Sequence, residues 1–387
     1  EGGGLGLLGA TLLSRGTISI LDNVVSGRGG GVSVAAGSSV EIRASSTWTV
    51  RGNKAWQGGG VNLAASRFLA EGSVGISDNS AKSRGGGLFA SLHSTVRLAG
   101  GTSANVTTAV NVTTSTNVTT AVNLTTADNL TTTANVTTVV LTTVSVNVTG
   151  MDPIHTEVLR NTAGISGGGI ELSSSGLNTS GRVHFRENNA LIYGGAISAI
   201  TDSVVELGGG AEVRLNKAGV QGGGVYMSSD CRLVARGVVV VSENAATEGG
   251  GIFALESAVT LEGTEVRGNT ARRSGGGVLL GRTSLVLQNA TSIVGNTAVL
   301  AGGGLHLSDT SVVNCSSSSI LSNTADTAGG LHLQSSSAHV TNCSVRQNVA
   351  AAPRCGGADA PCGGGAIVAS ENAVLMLVGS FVIGNRA

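Results

Sequence analysis

Val266-Arg-Gly-Asn269-Thr-Ala271, followed by Gly275-Gly-Gly-Val278, returns one repeat later as Ile293-Val-Gly-Asn296-Thr-Ala298, followed by Gly302-Gly-Gly-Leu305. The unit is an apolar residue, two of any kind, Asn, any residue, Ala, and then a glycine triad closed by an aliphatic side chain. Twelve triads align, starting at positions 2, 29, 58, 85, 167, 194, 222, 249, 275, 302, 328 and 363; those at 194 and 328 carry one Ala each. Twelve asparagines accompany them: Asn23, Asn53, Asn79, Asn161, Asn188, Asn216, Asn244, Asn269, Asn296, Asn323, Asn348 and Asn385. Each has Ile, Val or Phe three residues earlier. A period of ~27 residues running from end to end indicates a solenoid.

One repeat reads Gly249-Gly-Gly-Ile-Phe-Ala-Leu, then Ser257-Ala-Val-Thr-Leu-Glu, then Thr264-Glu-Val-Arg-Gly-Asn269. Each piece alternates apolar and polar residues, the period of a half-buried strand. Three short strands per turn, stacked in register, predict an all-β chain: a single parallel β-helix of about 12 to 14 rungs. Its crossovers should be right-handed. Glycines suit a corner that needs positive φ or close backbone approach. Asparagines at another corner can form a ladder, each amide donating to one neighbouring rung and accepting from the other. Ala two residues after Asn is expected to turn into the narrow interior.

Composition narrows the function. Lys and Arg number 23, Asp and Glu 23, so the formal charge is zero, and only 12% of residues are charged. That argues against nucleic acid as a partner. Aromatic residues are 2% of the chain, which leaves little for a stacking platform. No sequence window is long and apolar enough for a membrane span, so no membrane insertion is expected. No cofactor is expected either.

Gly194-Gly-Ala-Ile197 and Phe185-Arg-Glu-Asn188 carry a resemblance. With them the chain resembles the polymorphic outer-membrane protein repeats of chlamydiae, built on Gly-Gly-Ala-Ile and Phe-x-x-Asn motifs. The resemblance implies a right-handed β-helix displayed at a cell surface, often as an adhesin.

The organisation expected is β-helix over 1–101, an insertion over 102–155, and β-helix again over 156–387. The insertion repeats every six residues, and Asn105, Asn111, Asn117, Asn123, Asn129 and Asn135 each open an Asn-x-Thr sequon, with Asn147 resuming the series. Six is a multiple of both two and three, so these acceptors share one side in a strand or in polyproline II. The segment reads either as a low-complexity loop or as ordered β structure. Its alternation of Val, Leu and Thr with Asn, Thr, Ala and Ser favours another β layer or extra rungs. The triads at 85 and 167 lie close to three periods apart, as extra rungs require. Four more sequons stand at Asn178, Asn289, Asn314 and Asn342. Together they predict a secreted glycoprotein bearing N-linked glycans.

Cys355 and Cys362 bracket a short loop at 351–362, where a local disulfide is expected. Cys315 and Cys343 lie 28 residues apart, about one rung, and could form a second. Cys231 is left over and should be buried. The chemical candidate is a column of charges seven or eight residues after successive triads: Asp202, Asp230, Glu256, Arg282, Asp309 and Glu371. Stacked carboxylates could assemble an acid–base pair, yet Ser66, Ser175 and Ser335 occupy the same corner elsewhere, and Arg282 interrupts the column. Ordinary turn chemistry is the favoured reading. Gly4-Leu-Gly6-Leu-Leu-Gly9 spells a dinucleotide fingerprint, but no strand precedes it.

The leading expectation is therefore a non-enzymatic extracellular structural glycoprotein, a rod within a surface appendage, wall or filament. Asn385-Arg-Ala387 begins a repeat that Glu1-Gly-Gly-Gly4 would continue, so the rod is either a stretch of a longer solenoid or stacks end to end. Its expected partners are its own copies, other wall or filament proteins, and glycans. The alternative is an adhesin binding a receptor or glycan, and the least favoured is a polysaccharide lyase or hydrolase.

Overall fold

The computed structural model describes residues 2–100, 107–110, 144–147, 156–351 and 364–387, with only the backbone given for 107–110 and 144–147. The chain divides into two units, residues 1–102 with 153–387, and residues 103–152. In the second, Thr107–Val110 pairs antiparallel with Val144–Asn147.

The larger unit is a coil of parallel strands. A representative turn holds strand a (Ile252–Leu255), strand b (Ala258–Glu262), strand c (Glu265–Arg267) and a two-residue strand d (Thr270–Ala271). The a, b and c strands each stack into a twelve-stranded sheet. The d strands, each beginning at the residue after a ladder Asn and mostly two residues long, add a fourth sheet of ten to the three read from the alternation. Pairing is in register: Ile252 lies opposite Val278, and Val278 opposite Leu305.

Alternation decides the interior. From one turn Ile252, Ala254, Val259, Leu261 and Val266 all point into a single continuous core and are at most 1% exposed. Trp48 and Phe185 fill the core at other levels, and the Trp48 indole N–H donates to Ser14 Oγ at 2.6 Å. The Ala residues of strand d are buried as expected, but Ala271, Ala298 and Ala325 make a small seam of their own. The second residue of strand a faces away from the core yet is covered too. Tyr226, Phe253 and Leu279 pack there as a satellite column with Tyr193.

The insertion adds no rungs between its flanks. Gly75, Ile76 and Ser77 pair directly with Glu157, Val158 and Leu159, and Leu88–Ala90 pairs with Ile170–Leu172. Asn79 is likewise hydrogen-bonded to Asn161. The rung before residue 101 is thus stacked on the rung after 155, which overturns the extra-rung reading. The near match to three periods was a coincidence of length, and alternation alone does not say which partner a strand takes.

Candidate functional site

Every predicted Asn joins one ladder. The Asn269 carboxamide oxygen accepts from both the backbone N–H and Nδ2 of Asn244, each at 3.0 Å. Its own N–H and Nδ2 donate to Asn296 Oδ1 at 3.0 Å, and the second Nδ2 hydrogen goes to the Val241 carbonyl at 2.9 Å. The pattern runs from Asn23 through Asn53 to Asn385, always donating toward the C-terminal rung. Asn269 and Asn296 are 0% exposed, so these amides hold the corner rather than meet a ligand.

A second ladder escaped the sequence reading. At the a–b corner Ser175 N–H donates to Ser203 Oγ, Ser203 N–H to Cys231 Sγ at 3.4 Å, and Ser257 N–H to Thr283 Oγ1. The leftover Cys231 is thus a buried thiol standing in a hydroxyl position, and burial raises its pKa. The signal was legible: Ser, Thr or Cys recurs two residues ahead of strand b's first inward side chain.

The charge column belongs to turns. Asp202, Asp230, Glu256, Arg282, Asp309 and Glu371 all have left-handed backbones, with φ of 49–62°. Asp tolerates that region better than most residues, which explains its recurrence. Arg282 does not interrupt an acid pair; it holds Glu256 at 2.9 Å. Among the described residues no cluster of three His, Cys, Asp or Glu could hold a metal.

Cys315 and Cys343 are bonded, with α-carbons 6.6 Å apart. Cys315 is an inward residue of strand b, and Cys343 takes the b–c corner one rung on, which accounts for their unequal distances from the triads. Cys355 and Cys362 lie outside the described residues, as do Asn105, Asn111, Asn117, Asn123, Asn129 and Asn135. For Asn147 only the strand backbone is described. Of the remaining sequons, Asn289, Asn314 and Asn342 are exposed. Asn178 is half-buried, and its Nδ2 donates to Glu206 at 2.6 Å. All four sit on the sheet of b strands or at its corner with strand c.

Two sets of buried titratable groups lie under the outer face of the a strands. Glu171 is 0% exposed; Arg84 Nε stands 3.6 Å away with Ser166 and Ser198 nearby, but neither carboxyl oxygen has a well-formed hydrogen bond. Burial pushes its pKa up to about 7. Farther along the same column, His306 and His332 stack with ring centroids 4.9 Å apart and Nδ1 atoms 3.1 Å apart. At that separation one ring donates and the other accepts, so the two cannot both be protonated. Burial and then the charge of His332 lower His306 to about 4, and burial lowers His332 as well.

The side chains that gather at an open surface are others. On neighbouring c strands Glu157, His184 and Glu212 are in register. His184 Nδ1 is 4.0 Å from Glu157, and its Nε2 is 3.9 Å from Glu212. Arg186 binds Glu212 through Nε at 3.0 Å and also through Nη2. A groove of about 590 Å³ opens above His184 and Glu212, walled by Arg182, Gly209, Gly210 and Val238. Sequence reading missed it because these residues sit two and four places before Asn, where the motif allows anything.

Residues 203–376 match the family described as right handed beta helix region. The coil is a right-handed parallel β-helix. That description is a general one and does not extend to the chlamydial repeats, whose likeness to this chain is confined to the quoted motifs. No curated protein and no solved structure matches the chain.

Proposed function

We propose that this β-helix is a non-enzymatic, extracellular structural rod, N-glycosylated along the flank of its b strands. The observation that carries the reading is the Asn ladder, in which the repeat's one invariant polar side chain is wholly engaged in joining rung to rung. Two further features support it. The Cys315–Cys343 bond suits an oxidising compartment. Asn289, Asn314 and Asn342 are exposed on one flank, and the break for residues 101–155, with its seven sequons, falls at the same b–c corner.

Intact mass of the protein from its natural source, before and after N-glycosidase treatment, tests the glycoprotein part. A loss of several glycan masses, with deamidation at Asn289, Asn314 and Asn342, is expected; an unmodified chain would refute it. Sedimentation over a range of concentrations tests end-to-end association. A cell-surface adhesin is the second reading, favoured by the groove at His184 and Glu212. A polysaccharide lyase or hydrolase is the least favoured. The fold is compatible with one, but the carboxylates first suspected of the chemistry are turn residues.

A further inference from the structure

We propose that the groove over His184 and Glu212 is a binding site for a neutral oligosaccharide. The proposal goes beyond the structural role and does not depend on the glycosylation of the rod. Its volume, about 590 Å³, lies within the range of small-molecule sites. The charges cancel: Arg182 and Glu212 line the groove, and just beyond it Glu157 and Arg186 flank His184 and Glu212. A site without net field has no means of drawing in a polyanion. It does offer closely spaced donors and acceptors, the Arg182 guanidinium on one wall and the Glu212 carboxylate on the floor, as adjacent sugar hydroxyls require.

The opposite lip is apolar. Val238 is 77% exposed at the tip of its corner, with Val240 below it, and the two can face the C–H surface of a pyranose ring. The opening is built into the backbone. Here the b–c corner lengthens from Gly181-Arg182 to Gly208-Gly-Gly-Ala211, and Gly209 and Gly210 have φ of +65° and +90°. A side chain at either would be strained; a Cβ on Gly209 would lie 2.0 Å from the Gly181 nitrogen, whereas one on Gly210 would stand between Arg182 and Val238, in the groove. A peptide adding itself as a strand has no place to dock, because the c strands of the floor are paired on both sides. None of the corners at 181–182, 208–211 and 237–239 carries a sequon, so glycans of the rod do not originate within the groove.

The test is calorimetric titration of the full chain with linear hexasaccharides of β-1,4-glucose, β-1,4-N-acetylglucosamine, α-1,4-glucose and β-1,3-glucose, with α-1,4-galacturonate as the charged comparison. At least one neutral probe should bind, and Arg182→Ala and Val238→Asp should each weaken it by about tenfold or more. Both positions are exposed, so the thermal midpoint should stay unchanged, and Glu256→Gln, at a remote corner, should leave binding intact. The proposal fails if no neutral probe binds at concentrations up to about 10 mM. It also fails if both variants bind like the parent, or if galacturonate binds best.

Discussion

The three glycines of a triad do three different jobs, and Gly249, Gly250 and Gly251 show them apart. Gly249 has φ +59°, the left-handed turn into strand a. A Cβ on Gly250 would lie 2.5 Å from the carbonyl oxygen of Thr270 and of Gly276, so the backbone of the next turn occupies its place. A Cβ on Gly251 would meet the Asn269 carboxamide carbon at 3.0 Å and the Gly277 oxygen at 2.6 Å. Yet Ala196 stands at this third position and is fully buried, so the site can adjust. Ala328 stands at the first, with φ +53°. Gly250→Ala should therefore cost about 3 kcal/mol or more, or abolish folding, whereas Gly251→Ala should cost roughly 1–2 kcal/mol, as read from urea unfolding midpoints. Equal effects would contradict this account of the triad.

At the scale of the element, the Asn ladder ties each rung of the coil to the next. Removing Asn269 strands the Asn244 N–H, one Asn244 Nδ2 hydrogen and the Val241 carbonyl, all in a buried corner. Each such group costs about 1–3 kcal/mol, and coupling along the ladder keeps the sum from being smaller. Asn269→Ala should then destabilise by about 3–5 kcal/mol in equilibrium denaturation. The hydroxyl ladder at the a–b corner works on the same logic, and it explains why a thiol at Cys231 can replace Ser without breaking the coil. Hydroxyls there bond largely to their own turn's carbonyls, as Ser203 does with Ile200, so the side chain can vary while the contact persists.

For the whole molecule, two buried groups pull stability in opposite directions across one window, from about pH 4 to pH 7. Glu171 has a folded pKa of about 7 against an ordinary 4.5, so folding takes up a proton, and stability falls as pH rises from about 4.5 to 7. His306 has the opposite sign. Its folded pKa of about 4 lies below the ordinary 6.5, so the unfolded chain takes the proton first, and stability falls as pH drops from 6.5 toward 4. Glu171→Gln keeps the shape of the protonated carboxyl and removes its titration. It should raise stability at pH 8 by about 2–3 kcal/mol while changing little at pH 4.5, so the variant's midpoint should exceed the parent's only at the higher pH. An equal gain at both pH values would show that the carboxyl does not titrate in the fold.

How far the sequence reaches is visible in particular residues. Ile252, Ala254, Val259, Leu261 and Val266 announced their inward positions by alternation, and Asn269 and Gly250 by recurrence, because each turn repeats one local problem with one local solution. Recurrence also placed Cys315 within reach of Cys343. What it could not show is which turn lies beside which. Asn79 is bonded to Asn161 across 82 residues because strand pairing follows space rather than the count of periods. The groove at Glu157, His184 and Glu212 was hidden for a related reason. Outward side chains on the c strands are free to vary, so nothing in one repeat marks them, and only stacking in register brings three of them together. The sequence by itself determined the coil, its rungs and its ladders, since burial and hydrogen bonding recur with every turn. The tertiary structure alone decided the neighbours across the insertion, the bonded cysteines and the open groove, since these depend on distances between turns that the chain encodes only through packing.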